Sequence, residues 1–263
     1  MIYHYTSVDT LEKITSNKTL RFSRLDVLND LSEYTYALDL VTEEAESIAR
    51  ASNNAFIKDE MTKVVRSLRG RSRYYVACFS KDSDDKNQWM GYTPYRDEKA
   101  VRLGFNSIAL VHSLKKYTAI SEAIYDQKAQ RNRLRFLLKE HAKFCLSKIQ
   151  DKDIVNTARG LITNIIDSTL CRIKHPAFSI EREVRLIYTP MRSYAMEQIS
   201  EFECQVELSR ERIDTTFGQD DLEFENIMTG PNSRNQSSII GEMLQRSRII
   251  CRSGLQHTSI PLR

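Results

Sequence analysis

The polar segment His4-Tyr5-Thr6-Ser7 is the first place in this sequence where chemistry could occur. It lies where a short predicted strand, around 2–5, meets a predicted helix. Side chains and the free N–H groups of a helix converge at such a junction, which favours ligand contacts. The alternative is structural, with Ser7 capping the helix beside a surface histidine. The segment therefore predicts either a binding site or a helix cap.

A second cluster follows a predicted buried strand at 74–79. Ser80 ends that strand, and Trp89 and Tyr92 come soon after it. Aromatic rings beside a hydroxyl could form a stacking platform for a flat ligand. The alternative is that Trp89, the single tryptophan of the chain, is an anchor of the hydrophobic core.

The third cluster lies in the segment 179–188, which includes Glu181. Residues 183–188 read as a strand whose alternation places Glu183, Arg185 and Ile187 on one face and apolar side chains on the other. The Glu-x-Arg pair is either a structural ion pair or a carboxylate held by a guanidinium at a functional site. The sequence leaves both possibilities open.

Several common enzyme motifs are missing from the sequence. It has no P-loop, G-x-G-x-x-G, H-E-x-x-H or G-x-S-x-G, and its five histidines show no ligand spacing. Its five cysteines are widely spaced and include no C-x-x-C pair, which argues against a disulfide framework and a structural zinc site. We therefore expect no metal site and interpret Cys78, Cys145 and Cys171 as buried hydrophobic residues.

Positive charge is concentrated in two stretches, 63–73 and 128–148, although the net charge is only +4. A basic face can attract nucleic acid or a phosphorylated ligand. The alternative is a solvated helix surface. Nucleic acid is therefore a possible partner through these two stretches.

Length and composition favour a single domain. The chain has 263 residues, 41% of them hydrophobic, which suffices for one sizeable core. No segment approaches the roughly 18–20 apolar residues that span a bilayer, and the first residues lack the basic and apolar regions of a signal peptide. We therefore expect one soluble cytoplasmic domain over 1–263, with no membrane contact.

The elements that must position these clusters follow from periodicity. The predicted strands are 2–5, 20–23, 74–79, 101–105, 117–125, 183–188, 204–208, 226–228 and 248–251. The predicted helices are one starting near Val8, a long one over 32–69 with a break at 52–54, a short turn at 88–92, and one at 233–245. Two further helices form an insertion at about 126–173. This order predicts an α+β fold with a mostly antiparallel sheet and flanking helices.

Two predictions concern the faces of the inserted helices. In the first helix, His141 lies on an apolar stripe with Cys145, and we interpret it as a packing residue. In the second helix, an apolar stripe at helical spacing predicts a buried face. It consists of Ile154, Ala158, Leu161, Ile165 and Thr169.

At these clusters the sequence resembles a bacterial family catalogued as a domain of unknown function, number 2971. The matching stretches are His4-Tyr5-Thr6-Ser7, Arg21-Phe22-Ser23, Leu28-Asn29-Asp30 with Glu33, Cys78-Phe79-Ser80 with Trp89 and Tyr92, 178–181 with Glu183 and Arg185, Gly230-Pro231 and Arg252-Ser253. The family usually has Asn-Asp-Pro at the turn, where this chain has Leu31 in place of the proline.

A second resemblance suggests an activity. The order of elements is similar to the opening of ADP-ribosyltransferase-like domains. That resemblance implies that His4 holds the ribose of NAD, that Ser80 lies under the nicotinamide with Trp89 or Tyr92 stacking on it, and that Glu183 stabilises the transition state. Catalytic roles then fall to Glu183 and His4. The residues expected to bind substrate are Tyr5, Thr6, Ser7, Arg21, Ser23, Asn29, Asp30, Ser80, Trp89, Tyr92, Glu181 and Arg185.

The expected function is an NAD-dependent ADP-ribosyltransferase or NAD glycohydrolase, such as a toxin or phage-defence effector, with NAD as substrate. One alternative is a metal-dependent nuclease that uses Asp30, Glu33, Glu181 and Glu183 as oxygen ligands. Another is a binding or regulatory domain without enzymatic activity. The deciding observation is whether His4 and Glu183 face one cleft.

Overall fold

The computed structural model describes residues 1–28, 31–70, 72–93, 99–114, 116, 118–191, 200–218 and 222–260. Its helices are α1 (Val8–Asn17), α2 (Leu31–Ser52), α3 (Ala55–Leu68), α4 (Lys86–Tyr92), α5 (Ser107–Ser113), α6 (Gln127–Ser147), α7 (Lys152–Leu170), α8 (Glu201–Ser209) and α9 (Ser237–Ser247). Its strands are β1 (Ile2–Ser7), β2 (Thr19–Arg24), β3 (Tyr75–Ser80), β4 (Ala100–Phe105), β5 (Thr118–Glu122), β6 (Glu183–Tyr188), β7 (Arg212–Thr216), β8 (Glu223–Phe224), β9 (Asn226–Thr229), β10 (Ile250–Cys251) and β11 (Leu255–His257). The predicted α+β class, with a mostly antiparallel sheet and flanking helices, is confirmed.

The main sheet splits beside β3. On one side, β3 pairs with β6 along its length, from Tyr75↔Tyr188 to Ser80↔Glu183. On the other side, β1 meets the end of β3 at Tyr3↔Ser80 and β2 meets its beginning at Ser23↔Val76. Between these two contacts, the described strands leave the middle of that edge of β3 without a ladder partner. This gap is where a cleft forms.

Helices cover both faces of the sheet. One core packs α1 and α9 against side chains such as Phe79 and Leu186. The other packs α2, α3, α6 and α7 against Val76 and Ile187. Val184, Leu186 and Tyr188 belong to the first core and Ile187 to the second, so the predicted alternation of β6 is confirmed.

The break predicted at 52–54 is confirmed, because α2 ends at Ser52 and α3 begins at Ala55. Asn54 causes the restart, since its side chain accepts hydrogen bonds from the backbone N–H groups of Phe56 and Ile57. The insertion predicted at 126–173 is also confirmed, as α6 and α7.

The strand predicted at 204–208 is wrong, because this segment is helical in α8. A capping box begins the helix: Glu203 N–H donates to the Ser200 hydroxyl, and Ser200 N–H donates to the Glu203 carboxylate. The apolar and polar alternation of 204–208 resembled a strand, but the cap upstream decides the outcome. The strand predicted at 248–251 begins only at Ile250, because α9 continues to Ser247.

The prediction of which face of α7 is buried is wrong. Leu161 and Ile165 are exposed, whereas Ile162 and Ile166 are buried. The helix carries two apolar stripes offset by one residue, and both satisfy a 3.6-residue period. Only the packing of α7 against α3 and α6 selects between them.

Candidate functional site

A cleft of about 240 Å³ lies at the split of the sheet. The candidate residues that it brings together are His4, Tyr5, Arg21, Ser23, Ser80, Tyr92, Glu181, Glu183 and Arg185. Because β1, β2, β3 and β6 each contribute to this set, the predicted convergence of His4 and Glu183 on one cleft is present in the fold. Its volume lies below the roughly 300–1,000 Å³ typical of drug-sized ligands, so it suits one part of a larger molecule.

Lys174 is at the centre of the base of the cleft. Its ammonium contacts Glu33 at 2.9 Å, Glu181 at 2.7 Å and Glu183 at 2.5 Å. The side chain is only 2% exposed. Burial opposes its charge, but the surrounding carboxylates and Tyr92 raise the pKa of Lys174 above its usual range. It is therefore a fixed buried cation.

Arg185 is the second buried cation. Its guanidinium donates to Glu183 at 2.6 Å, to Glu33 at 2.6 Å and to the carbonyl of Cys171 at 3.1 Å. Burial raises the pKa of Glu183, but Arg185 and Lys174 outweigh it and bring the pKa down to about 2. Glu183 is therefore ionised at neutral pH. With three carboxylates against two cations, the formal charge of this group is −1.

Glu181 has the most open of these carboxylates. Its Oε2 accepts hydrogen bonds from Tyr92 at 2.8 Å and from Lys174, while its Oε1 has no partner among the described residues. Its backbone carbonyl accepts from the Ser80 hydroxyl at 2.9 Å and the Gln88 amide at 3.3 Å. Glu181 is therefore fixed through both its carboxylate and its backbone carbonyl, and one carboxylate oxygen is left for a ligand.

His4 reaches the cleft from β1. Its Nδ1 lies 3.1 Å from the carbonyl of Cys78, so Nδ1 carries the proton and Nε2 is left as an acceptor. Burial lowers the pKa of His4 despite this hydrogen bond, and the ring is therefore neutral at pH 7. A neutral acceptor of this kind can bind a hydroxyl group.

The proposed stacking role of Trp89 is not supported by its position. Trp89 is fully buried and packs edge-to-face on Tyr5 with ring centroids 4.8 Å apart. Its indole N–H donates to Asp84 at 2.7 Å. The structure therefore corrects the expectation and makes Trp89 a core anchor beneath the cleft, while Tyr92 remains at its edge.

Other candidates have structural roles. Ser7 caps α1 through the backbone N–H of Thr10 at 3.1 Å, and neither Ser7 nor Thr6 lines the cleft. Arg21 lies at the rim, where it is paired with Asp214 at 2.9 Å. Asn29 and Asp30 lie outside the described residues, so their predicted roles stay predictions.

Lys174 was missed by the sequence analysis. It lies in the irregular segment between α7 and a 3₁₀ helix at Pro176–Glu181, so no periodicity marked it. The available signal was a single lysine close in sequence to Glu181 and Glu183. Glu33, which entered only through the family resemblance and the nuclease alternative, lies in the same cluster.

The basic stretch 128–148 is partly neutralised, whereas the stretch 63–73 borders a groove. From the stretch 128–148, Arg131 and Arg135 contact Glu44 of α2 at 3.2 and 2.7 Å. From the stretch 63–73, Arg66 and Arg69 line a groove of about 990 Å³ between α2 and α3. The α6 stretch therefore contributes to packing as well as to surface charge, and its role as a nucleic-acid face stays a prediction.

A buried group of Glu60, His141 and Cys145 lies between α3 and α6, with potential ligand atoms within 4.8 Å of one another. Both oxygens of Glu60 already accept from Arg159, at 2.9 and 2.7 Å. Burial lowers the pKa of His141 and raises that of Cys145 to about 11. A neutral imidazole, a protonated thiol and a neutralised carboxylate fit the predicted packing role of His141.

No helix in the described part of the chain is both long and apolar enough to cross a membrane.

Comparison with known proteins gave one match. Residues 88–186 match the model of the family described as protein of unknown function (DUF2971), which confirms the resemblance over that segment. The matched segment includes Gln88, Tyr92, Lys174, Glu181, Glu183 and Arg185 of the cleft. No curated protein and no solved structure matches the chain.

Proposed function

Because the family that this chain matches is described only as one of unknown function, we propose from the geometry of the cleft that the protein is an NAD-dependent ADP-ribosyltransferase or NAD glycohydrolase. The observation that carries the proposal is the convergence of His4 from β1, Glu181 from the 3₁₀ helix and Glu183 from β6 on one cleft. The small volume suits the nicotinamide and its ribose, with the rest of NAD outside.

The charge of the cleft supports this reaction. When the bond between the ribose C1′ and the nicotinamide nitrogen breaks, the electron pair leaves with nicotinamide and positive charge develops on the ribose. Water or an acceptor then forms the new bond at C1′ and loses its proton to solvent. The charged side chains at the bottom of the cleft have a total formal charge of −1. They therefore stabilise such a cation better than they would an anion.

The contacts of each cleft residue indicate its role in the proposed reaction. Glu183 is 5% exposed, and Arg185 and Lys174 already bind its oxygens, so it is a positioning residue. Glu181 keeps Oε1 for the ribose and is the proposed catalytic carboxylate. His4 is the proposed acceptor for a ribose hydroxyl through Nε2. Ser80 positions Glu181 through its backbone carbonyl.

The experiment is to incubate the purified chain with NAD and to measure nicotinamide release and NAD binding. Glu181→Gln should lower turnover by about 100-fold or more, which is the effect of losing a transition-state contact in other enzymes. NAD binding should be retained. Glu242→Gln, on the exposed face of α9, is the matched control and should leave turnover unchanged.

Absence of both NAD binding and nicotinamide release, with water, protein and nucleic acid offered as acceptors, would contradict the proposal. Equal loss of activity in the Glu242→Gln control would also count against it, since that residue lies away from the cleft.

The nuclease alternative has less support. Glu33, Glu181 and Glu183 do converge, but the Lys174 ammonium lies at their meeting point, where a divalent cation would have to bind. Titration with Mg²⁺ or Mn²⁺ discriminates between the two functions, because the transferase needs neither ion.

A further inference from the structure

A second cavity, of about 470 Å³, lies on the side of the sheet covered by α7. Asn164 and Ser168 line it from α7, Arg172 from just beyond that helix, Ser121 from β5, and Thr189 from just beyond β6. Among the described residues, none lines both the cavity and the cleft. It is therefore a separate site, independent of the proposed function.

Arg172 is the unusual residue in this cavity. Within the described part of the chain, its guanidinium forms no ion pair, and its buried Nε has no hydrogen-bond partner. Burial lowers the pKa of Arg172, and the charge of Arg133 lowers it further. By contrast, the two buried cations of the cleft, Lys174 and Arg185, are matched to carboxylates. A partly buried cation without an anion is costly unless a ligand supplies the charge.

The other polar groups of the cavity suit an anion. The hydroxyl of Thr189, a residue only 8% exposed, also has no hydrogen-bond partner among the residues that the structure describes. Asn164 contributes an amide whose Oδ1 accepts from Arg73 at 3.3 Å, which leaves its NH₂ group as a donor toward other groups. Tyr74 and Ile120 add an aromatic ring and an apolar side chain to the wall.

We propose that this cavity is a binding site for a small phosphorylated molecule, with Arg172 pairing its phosphate and the Tyr74 and Ile120 wall contacting its apolar part. A guanidinium presents several N–H donors to phosphate oxygens in a fixed geometry, which favours Arg for this role. The volume falls within the range of small-ligand sites.

The test is calorimetric titration of the full chain with phenyl phosphate, with phenol as the phosphate-free control. Phenyl phosphate should show saturable binding and phenol should not. Arg172→Gln should weaken the binding by at least about tenfold, as expected for a charged hydrogen-bond pair. Arg212→Gln, an exposed arginine on β7, is the matched control and should bind as the unaltered chain does.

A second variant keeps Arg172 in place. Ser168→Asp puts a carboxylate on the wall of the cavity that Arg172 also lines, close enough in sequence to pair with it. It should abolish phenyl phosphate binding and raise the melting temperature, because it supplies the missing anion from within the chain.

The proposal is overturned if phenyl phosphate does not bind, or if it binds equally well to the Arg172→Gln variant. NAD cleavage by Arg172→Gln should be unchanged, so that failure of this site and failure of the proposed NAD activity can be told apart.

Discussion

At the scale of single residues, the cleft depends on Lys174. One buried ammonium holds Glu33 of α2, Glu181 of the 3₁₀ helix and Glu183 of β6 together. Like charges this close repel strongly at low effective dielectric, so the three carboxylates can share the cleft only around a cation. Arg185 reinforces the arrangement from the floor of the cleft.

We therefore expect Lys174→Met to be strongly destabilising. Removing one partner from a buried charge cluster leaves uncompensated charge, and the expected loss in the free energy of unfolding is about 3–5 kcal/mol. Urea denaturation measures it. Lys13→Met, at an exposed position of α1, should change stability by no more than about 0.5 kcal/mol. Similar values for the two variants would show that the cluster does not stabilise the fold.

At the scale of elements, helix caps decide where the sequence pattern is ambiguous. Asn54 restarts the chain as α3 after α2, and the Ser200 and Glu203 capping box converts an apparent strand into α8. The consequence reaches the core, because Glu207 of α8 accepts a hydrogen bond from Tyr188 of β6 at 2.6 Å. The helix that this cap begins therefore contacts the end of the sheet.

Ser200→Ala removes the hydroxyl that accepts a hydrogen bond from the Glu203 N–H in this capping box. We expect the free energy of unfolding to fall by about 0.5–2 kcal/mol, since one N–H at the start of α8 loses its partner. Chemical denaturation followed by far-UV circular dichroism gives the value. Ser147→Ala, at the exposed end of α6, should stay within about 0.5 kcal/mol of the unaltered chain. A Ser200→Ala variant as stable as this control would mean that packing alone fixes α8.

At the scale of the whole molecule, one sheet joins the separate hydrophobic clusters. Val76 on β3 packs with the helices α2, α3, α6 and α7, whereas its neighbour Tyr75 packs in the opposite core. Trp89 lies in a third, small cluster with Tyr5 and Ala100. Since β1 and β3 pair directly, loss of one cluster should propagate to the others.

Leu138→Ala tests this coupling, because Leu138 is fully buried in the helical core, away from Trp89. Such a truncation should cost about 2–5 kcal/mol. Trp89 fluorescence and far-UV circular dichroism should report the same lowered midpoint. Leu146→Ala, at a partly exposed position of α6 that is 42% exposed, is the control and should cost less. Separate transitions for the two probes would indicate independent folding units.

The sequence by itself determined the elements whose signals are local. The alternation of 183–188 predicted both faces of β6, and the polar break at 52–54 predicted the end of α2. Each of these depends on neighbours within about one helical turn or one strand, where periodicity and caps carry the information.

Only the tertiary structure decided the cleft and the faces of its helices. His4 and Glu33 are far apart in sequence from each other and from the neighbouring pair Lys174 and Glu181, and they meet this pair because β1 and β2 part beside β3. The burial of Trp89 and the choice between the two stripes of α7 are likewise set by what packs against them. Local propensity is compatible with either position of Trp89 and with either buried stripe of α7. Long-range contacts therefore determine which one forms.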